Sequence, residues 1–426
     1  MKQHLLLPGS ILLLILLLHA ATAQAQHPLC DQNRFLNEVF SDFNETEDII
    51  YGRNARYNGD SVNLFMDIYQ PVGDTATRRP VVILAHGGTF ISGDKDSPEV
   101  TPILESLARK GYVGVSISYR LDNVLSLPLS DDNAISAVVR AQQDGRAAIR
   151  YLRRSFAEMG NPYGIDTSMI FIGGSSAGAV LSVHSQYADS AEVVSFPELT
   201  NTQIVTDLGG AEGNSGNPGY SSRAAGVINL CGALGNAEWI NTNDPMLISM
   251  HGDQDEVVPY AEGAFTFPPA PLNVSLDGSA AMHPVAQDSG LYNRFYTFQG
   301  APHVPYVGDS AYMDTTINFI TGSLYEFVCA PFSNREEGLT GHPAPQWKLY
   351  PNPSNGASFV AATAGVPPGT TAKVRVMNTL GQVVWQQTWH VEKKPLKLQG
   401  NFLNSGIYLV EIQTNDHRSV KRLMVR

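Results

Sequence analysis

Positive charge is what this 426-residue chain has least of: 28 Lys and Arg stand against 40 Asp and Glu, a formal net charge of −12. No basic patch interrupts its main body, so a phosphate backbone would be repelled, and nucleic acid is excluded as a partner. Charged residues amount to only 16%, against 43% hydrophobic. That balance excludes a disordered tail protein and leaves ample apolar material for a large core. The 38 Gly and 26 Pro are spread through the chain, which excludes a collagen-like repeat and a coiled coil. Beyond the N-terminus no apolar run is long enough to span a bilayer. At about 150 residues per domain there is room for two or three domains.

The first residues have a three-part pattern. Lys2 provides a positive start, residues 11–18 are an unbroken apolar run, and Ala21-Thr22-Ala23 or Ala23-Gln24-Ala25 offers small residues for cleavage. Residues 1–25 are therefore expected to be a secretory signal peptide rather than a membrane anchor. The run from Leu5 is broken by Pro8-Gly9-Ser10 and is short for a span of about 20 residues. Export exposes the three cysteines to an oxidising setting. Cys231 ends the apolar stretch 226–231 and reads as a small core residue. Cys30 and Cys329 bracket the segment expected to be catalytic, and a disulfide between them is predicted. On the chain-entropy model it stabilises by at most about 5–6 kcal/mol.

Residues 26–332 alternate short apolar runs with longer amphipathic ones. Residues 63–69 alternate at period two, and 81–85 and 113–118 are dense β-branched runs of the kind buried on both faces of a parallel sheet. Helical spacing appears over 102–110, 133–154 and 177–187, with further strands at 169–172, 226–230, 246–250 and 295–298. This predicts an α/β architecture with a doubly wound, mostly parallel sheet. Residues 190–222 and 263–278 break the winding; the latter, with Pro268, Pro269 and Pro271, reads as a surface loop. Residues 333–346 have the composition of a linker. From Trp347 to Arg426 short strands (373–377, 382–389, 407–413) separated by Asn/Gly turns predict a small all-β, sandwich-like module ending in a basic stretch, 418–426.

The chemistry concentrates in three places. Gly174-Ser175-Ser176-Ala177-Gly178 lies between a strand and a helix, the setting of a nucleophile elbow, which makes Ser176 the candidate nucleophile. A serine hydroxyl needs a base, and the base needs a fixed anion. In this fold the partners follow in the order Ser, acid, His. After strand 246–250, Asp253, Asp255 and Glu256 all qualify as the acid, and His251 reads as a structural turn residue. For the base, His303 follows the last strand in a loop at its C-terminal end, where ligands meet an open α/β sheet. His283 falls in a helix-like stretch and suits packing. Third, Leu84-Ala-His86-Gly87-Gly88-Thr89-Phe90 also ends a strand. The N–H groups of Gly88 and Thr89, with that of Ala177, are the candidate oxyanion hole, each worth about 3–4 kcal/mol of transition-state stabilisation.

These residues resemble the α/β-hydrolase superfamily, specifically its carboxylesterase/lipase branch, over about residues 45–328. His86-Gly-Gly-Thr-Phe90 is similar to the family's HGGGF oxyanion segment, and Ser118-Tyr119-Arg120-Leu121 to its strand ending in Y-R-L. Residues 251–259 match the H-G-x-x-D-x-x-V-P pattern, and the resemblance gives the acid role to Asp255 rather than Asp253. Thr89 replaces the third glycine, Ser175 stands where Asp or Glu is usual, and Ala179 replaces a glycine. The C-terminal module has its own likeness. Residues 349–356, 378–382 and 405–410, with Lys421-Arg422, resemble the C-terminal sorting domain of Bacteroidetes type IX secretion cargo. That resemblance implies export through the outer membrane, often with attachment at the cell surface. A carbohydrate-binding β-sandwich is the competing reading; it would want solvent-facing aromatics, whereas Trp347, Trp385 and Trp389 serve equally well as core.

The expectation is a secreted serine carboxylesterase acting through Ser176, His303 and Asp255. It needs no cofactor or metal, and no metal-ligand spacing appears. Its partners are an ester substrate and the secretion machinery. By analogy, short-acyl or feruloyl esters of plant polysaccharides are candidate substrates. A serine exopeptidase of the same fold and a non-catalytic adhesion protein on a hydrolase scaffold are the rivals. An exopeptidase would usually carry a large N-terminal propeller, and an adhesion protein would typically have lost the nucleophile or the base.

Overall fold

The computed structural model describes residues 27, 29–30, 34–123, 130–188, 206–267, 270–329, 346–350, 354, 357–364, 370–377, 383–391, 395–399, 403, 406–414 and 418–425. The expected signal peptide, residues 1–25, lies outside that set, as do 333–345 of the expected linker, 190–205 of the irregular segment and the turn at 378–382. The chain divides into two compact units, Met1–Ala330 and Pro331–Arg426.

The first unit is built on an eight-stranded sheet in the order β1-β2-β4-β3-β5-β6-β8-β11. Its strands are β1 Phe43–Ala55, β2 Ser61–Pro71, β3 Arg79–Ala85, β4 Val113–Ile117, β5 Ile165–Ser175, β6 Gly226–Leu230, β8 Met246–Gly252 and β11 Asn293–Phe298. The β1–β2 and β2–β4 pairs are antiparallel, and every pairing from β4 through β3, β5, β6 and β8 to β11 is parallel. Every residue of β3, β4, β6 and β8 is buried, whereas edge strand β11 alternates. Apolar runs without alternation take the middle of such a sheet because helices cover both of its faces.

Helix α1, Thr101–Arg109, starts on Pro102, where a missing N–H costs nothing, and ends with a cation at its negative pole. Helix α2, Asp131–Glu158, is capped by Ser130, whose side chain accepts from the Asn133 N–H, and carries Asp131 and Asp132 in its first turn. Asp144 of α2 is fully buried against Arg120 at 2.9 Å and also accepts from the Arg120 N–H. That buried pair holds the loop after β4 on the helix. Helices α3, Ala177–Tyr187, α4, Ser279–Asp288, and α5, Ser310–Cys329, complete the layers.

The parallel-sheet elements lie where the patterning puts them, with longer bounds. Three elements depart from the reading. Residues 263–278 are not a surface loop. Strands β9, Glu262–Phe267, and β10, Ala270–Gly278, form an antiparallel hairpin that pairs with β7, Ala233–Leu234. The prolines hide the strand pattern in the sequence, and the pairing of β10 with β9 and β7 makes it a strand. Strand β1 escaped detection because a hydrophilic edge strand carries little periodicity. Helix α5 is a third element that went unread. Its end is tied by a disulfide from Cys329 to Cys30, with the Cα atoms 5.5 Å apart.

The second unit has a three-stranded sheet of β12 (Gln346–Tyr350), β13 (Ala357–Ala364) and β16 (Leu396–Gln399). A four-stranded sheet contains β15 (Val383–His390), β14 (Thr371–Met377), β17 (Gly406–Gln413) and β18 (Arg418–Val425). Inward residues of both sheets share one core, including Trp347, Val360, Val374, Val410 and Leu423. Trp347 and Trp389 are buried in it and Trp385 packs against it. The basic stretch at 418–425 is a strand in which Leu423 and Val425 are buried.

Candidate active site

Four chain segments leave the C-terminal ends of parallel strands β3, β5, β8 and β11 and converge at one rim of the sheet, where an open α/β fold has a crevice. The tightest is the turn from β5 into α3. Ser176 has φ 51° and ψ −114°, a conformation that costs a non-glycine residue about 1–3 kcal/mol. The flanking glycines make the turn possible. A Cβ on Gly178 would lie 2.1 Å from the Ala85 carbonyl oxygen, and one on Gly174 would lie 2.4 Å from it. The Ser176 N–H donates to Leu230 O at 2.8 Å. β3, β6 and the turn are thereby locked around the hydroxyl.

Ser176 Oγ lies 2.8 Å from His303 Nε2, and His303 Nδ1 lies 2.6 Å from Asp255 Oδ2. Asp255 Oδ1 accepts from the N–H groups of Val257 (2.8 Å) and Val258 (2.9 Å). Burial alone would raise the Asp255 carboxyl. The hydrogen bonds from His251 and His303, with the Val258 N–H, outweigh burial and hold it well below the usual carboxylate range. The other two acids that the sequence left open lie elsewhere. Asp253 accepts from the Gly300 N–H at 2.6 Å, bracing the turn before His303, and Glu256 is exposed. His283 is buried in α4 and stacked on Phe295 with ring centroids 4.7 Å apart. Burial pushes it down to about 4, leaving it neutral.

Beside the serine runs the loop after β3. Gly88 (φ 103°), Thr89 (57°) and Phe90 (62°) are successive left-handed residues, a twist that turns peptide groups toward one point. A Cβ on Gly88 would sit 2.1 Å from Ser92 O, so only glycine fits there. The loop is held from behind by Glu99, which accepts from the Gly87 N–H at 2.9 Å, and by the Tyr119 hydroxyl, which donates to His86 O at 3.0 Å. His86 is buried, donates from Nδ1 to Gly87 O (2.6 Å) and stacks on Tyr119. Ala177 opens α3, and as the first helical residue its N–H has no intrahelical acceptor.

A narrow cleft, with a cavity volume of about 50 Å³, leads to Ser176. Its lining includes Phe90, Ile135, Val138, Val258, Phe265 and Leu276. Among the described residues no carboxylate, Lys or Arg lines it. The hairpin misread as a surface loop thus supplies part of the lining.

His251, taken from the sequence as a turn residue, is the last but one residue of β8, fully buried, with Nε2 3.1 Å from Asp255 Oδ2. Cys231, His251 and Asp255 each present one ligand-type atom, all within 4.8 Å of one another. The last two are already bonded to each other. The Cys231 thiol is pushed up to about 12, chiefly by burial and next by the Asp255 charge.

The family comparisons agree with this architecture. Residues 66–205 match the BD-FAE family model, and residues 348–426 match the secretion system C-terminal sorting domain. The first match falls within the first unit. The BD-FAE match spans the turn at Ser176 and the loop after β3, while Asp255 and His303 fall after it. The second match falls within the second unit. Among the described residues no helix is long and apolar enough to cross a membrane. Similar solved structures include the Thermogutta terrifontis esterase 2 phosphonylated by cyclosarin, 21% identical with a TM-score of 0.47, covering 67% of this chain and 96% of that one. A truncated carbohydrate esterase from gut microbiota is 21% identical with a TM-score of 0.45, covering 68% of this chain and 99% of that one. No significant match was found among curated proteins.

Proposed function

We propose that the protein is a secreted serine carboxylesterase in which Ser176 is the nucleophile, His303 the general base and then acid, and Asp255 the anion that orients His303. The observation that carries this reading is the unbroken line of hydrogen bonds from Ser176 Oγ to His303 (2.8 Å) and from His303 to Asp255 (2.6 Å). Ser176 Oγ attacks the ester carbonyl as its proton passes to His303 Nε2. The negative charge that develops on the carbonyl oxygen is met by the N–H groups of Gly88, Thr89 and Ala177. His303 returns the proton to the leaving alkoxide, releasing the alcohol. Water, deprotonated by the same imidazole, then cleaves the acyl-enzyme. Asp255 stays ionised throughout and stabilises the imidazolium.

The cleft bears on the substrate. Its walls are apolar and uncharged, and Phe90 and Phe265 both line it. An uncharged acyl group suits it, of short alkyl or aromatic (feruloyl) type, on the esters of plant polysaccharides that an exported enzyme meets. Hydrolysis of a graded panel of p-nitrophenyl and feruloyl esters, beside an amide analogue, tests the reading. Ester turnover with fluorophosphonate labelling, both abolished by Ser176→Ala, is expected. Preference for the amide, or labelling that survives the substitution, would overturn it.

A further inference from the structure

The carboxylate of Asp255 has more partners than orienting one imidazole requires. Oδ1 takes two backbone N–H groups and Oδ2 faces two histidines, His303 Nδ1 at 2.6 Å and His251 Nε2 at 3.1 Å. A carboxylate has about four lone-pair sites, so this one is saturated. Three of the donors are on segments next to Asp255 or on the His303 loop; His251 comes from within the sheet, one strand deep, and has no solvent exposure.

The protonation of His251 is legible from its neighbours. Nε2 faces only acceptors, Asp255 Oδ2 and the Val258 carbonyl at 3.3 Å, so it bears the proton. Nδ1 lies 2.9 Å from Ser279 Oγ, and that oxygen already accepts from Asn229 Nδ2 at 3.1 Å. The Ser279 O–H is therefore free to donate to a bare Nδ1. Ser279 is the first residue of α4.

We propose that His251 is a positioning residue: held as the neutral Nε2–H tautomer by Ser279, it donates to Asp255 Oδ2 and sets how strongly that carboxylate pulls on the His303 imidazolium. This role presupposes the serine esterase chemistry above. Sharing Oδ2 between two donors keeps the carboxylate in plane with His303 and moderates its basicity. With one donor gone, the carboxylate concentrates its charge on His303, and the base holds its proton to higher pH. The other ionisable groups facing this pair are Cys231 at the end of β6, Tyr306 in the His303 loop, Glu99 before α1 and Tyr260 against the His251 ring. Burial pushes Cys231 up to about 12 and Tyr306 well above its ordinary value, so neither changes charge where the enzyme works.

The test is the pH dependence of kcat/KM for p-nitrophenyl acetate in the full-length enzyme and in His251→Leu, His251→Gln and Ser279→Ala. In His251→Leu the midpoint of the acidic limb is expected to rise by about 0.5–1 pH unit, with kcat down about tenfold and KM within about twofold. The Gln amide can donate in the same place and should restore the wild-type midpoint, while Ser279→Ala should fall between. Unmoved midpoints in the Leu and Ala variants, with only a lower melting temperature, would overturn the role. Should His251→Leu not fold, an unmoved midpoint in Ser279→Ala alone rejects it. Fluorophosphonate labelling of the wild type separates the two readings. Without labelling the esterase proposal itself fails, whereas labelling with an unmoved limb rejects the His251 role alone.

Discussion

Ser175 Oγ and the Tyr306 hydroxyl stand 2.6 Å apart, both fully or almost fully buried. The residue immediately before the proposed nucleophile is thereby pinned to the loop that carries His303. Ser175 occupies the position where the resembling family usually has Asp or Glu. A hydroxyl can meet the buried tyrosine at no charge cost, whereas a carboxylate there would be desolvated.

Tyr306→Phe removes that bond and keeps the ring. The expected outcome is a loss of about 1–2 kcal/mol of stability, because Ser175 Oγ is left buried without its partner. A fall in kcat of about tenfold, from a loosened His303 loop, should accompany it. Urea unfolding and steady-state kinetics on the same variant check both. Unchanged kinetics beside lowered stability would confine the bond to folding.

Acid should unfold the hydrolase unit in two stages. His184 and His283 are pushed down to about 4, chiefly by burial. The folded state therefore binds fewer protons than the unfolded chain between about pH 6.5 and 4, and stability is lost as pH falls through that window. Asp255 is held below the usual range, so its contribution, present above about pH 4, disappears at still lower pH. Melting temperature followed from pH 7 to 3 should drop from about pH 6.5 downward. His283→Gln should flatten the upper part of that drop, and a parallel curve for this variant would argue against it.

The Cys30–Cys329 disulfide closes a loop of 299 residues. Replacing both with Ser should cost about 2–5 kcal/mol, below the loop-entropy ceiling of about 5–6. Chemical denaturation with and without reductant measures it, and reductant should lower only the wild-type midpoint.

Deleting residues 347–426 removes the sorting domain, which has its own core. The truncated hydrolase should keep its ester turnover and accumulate in the periplasm. Fractionation reads the outcome; normal release of the truncated form would refute a sorting role for the module.

Much of the fold was legible because buried parallel strands write themselves as β-branched runs, as in β3 (RPVVILA) and β4 (VGVSI). The hairpin β9–β10 was not, because its prolines signal a loop and its pairing with β7 is a tertiary event. For the site, motifs singled out Ser176 and the loop at 86–90, whereas chemistry alone left Asp253, Asp255 and Glu256 open and only the likeness of residues 251–259 to a family pattern pointed to Asp255. Those three differ by which way a turn presents them, and only Asp255 meets His303. His251 was in plain view within its motif, yet nothing local separates a histidine in a turn from one aimed at a carboxylate four residues on.

Local chemistry by itself determined the class of protein: an acidic, exported α/β chain with a serine on a glycine-flanked turn and a β-rich tail. These depend on composition, periodicity and backbone sterics, all short-range. Only the tertiary structure decided which carboxylate faces the imidazole, what lines the cleft and which second histidine shares the acid. Those are distances between segments up to 127 positions apart, and a one-dimensional pattern carries no distance until strands are paired.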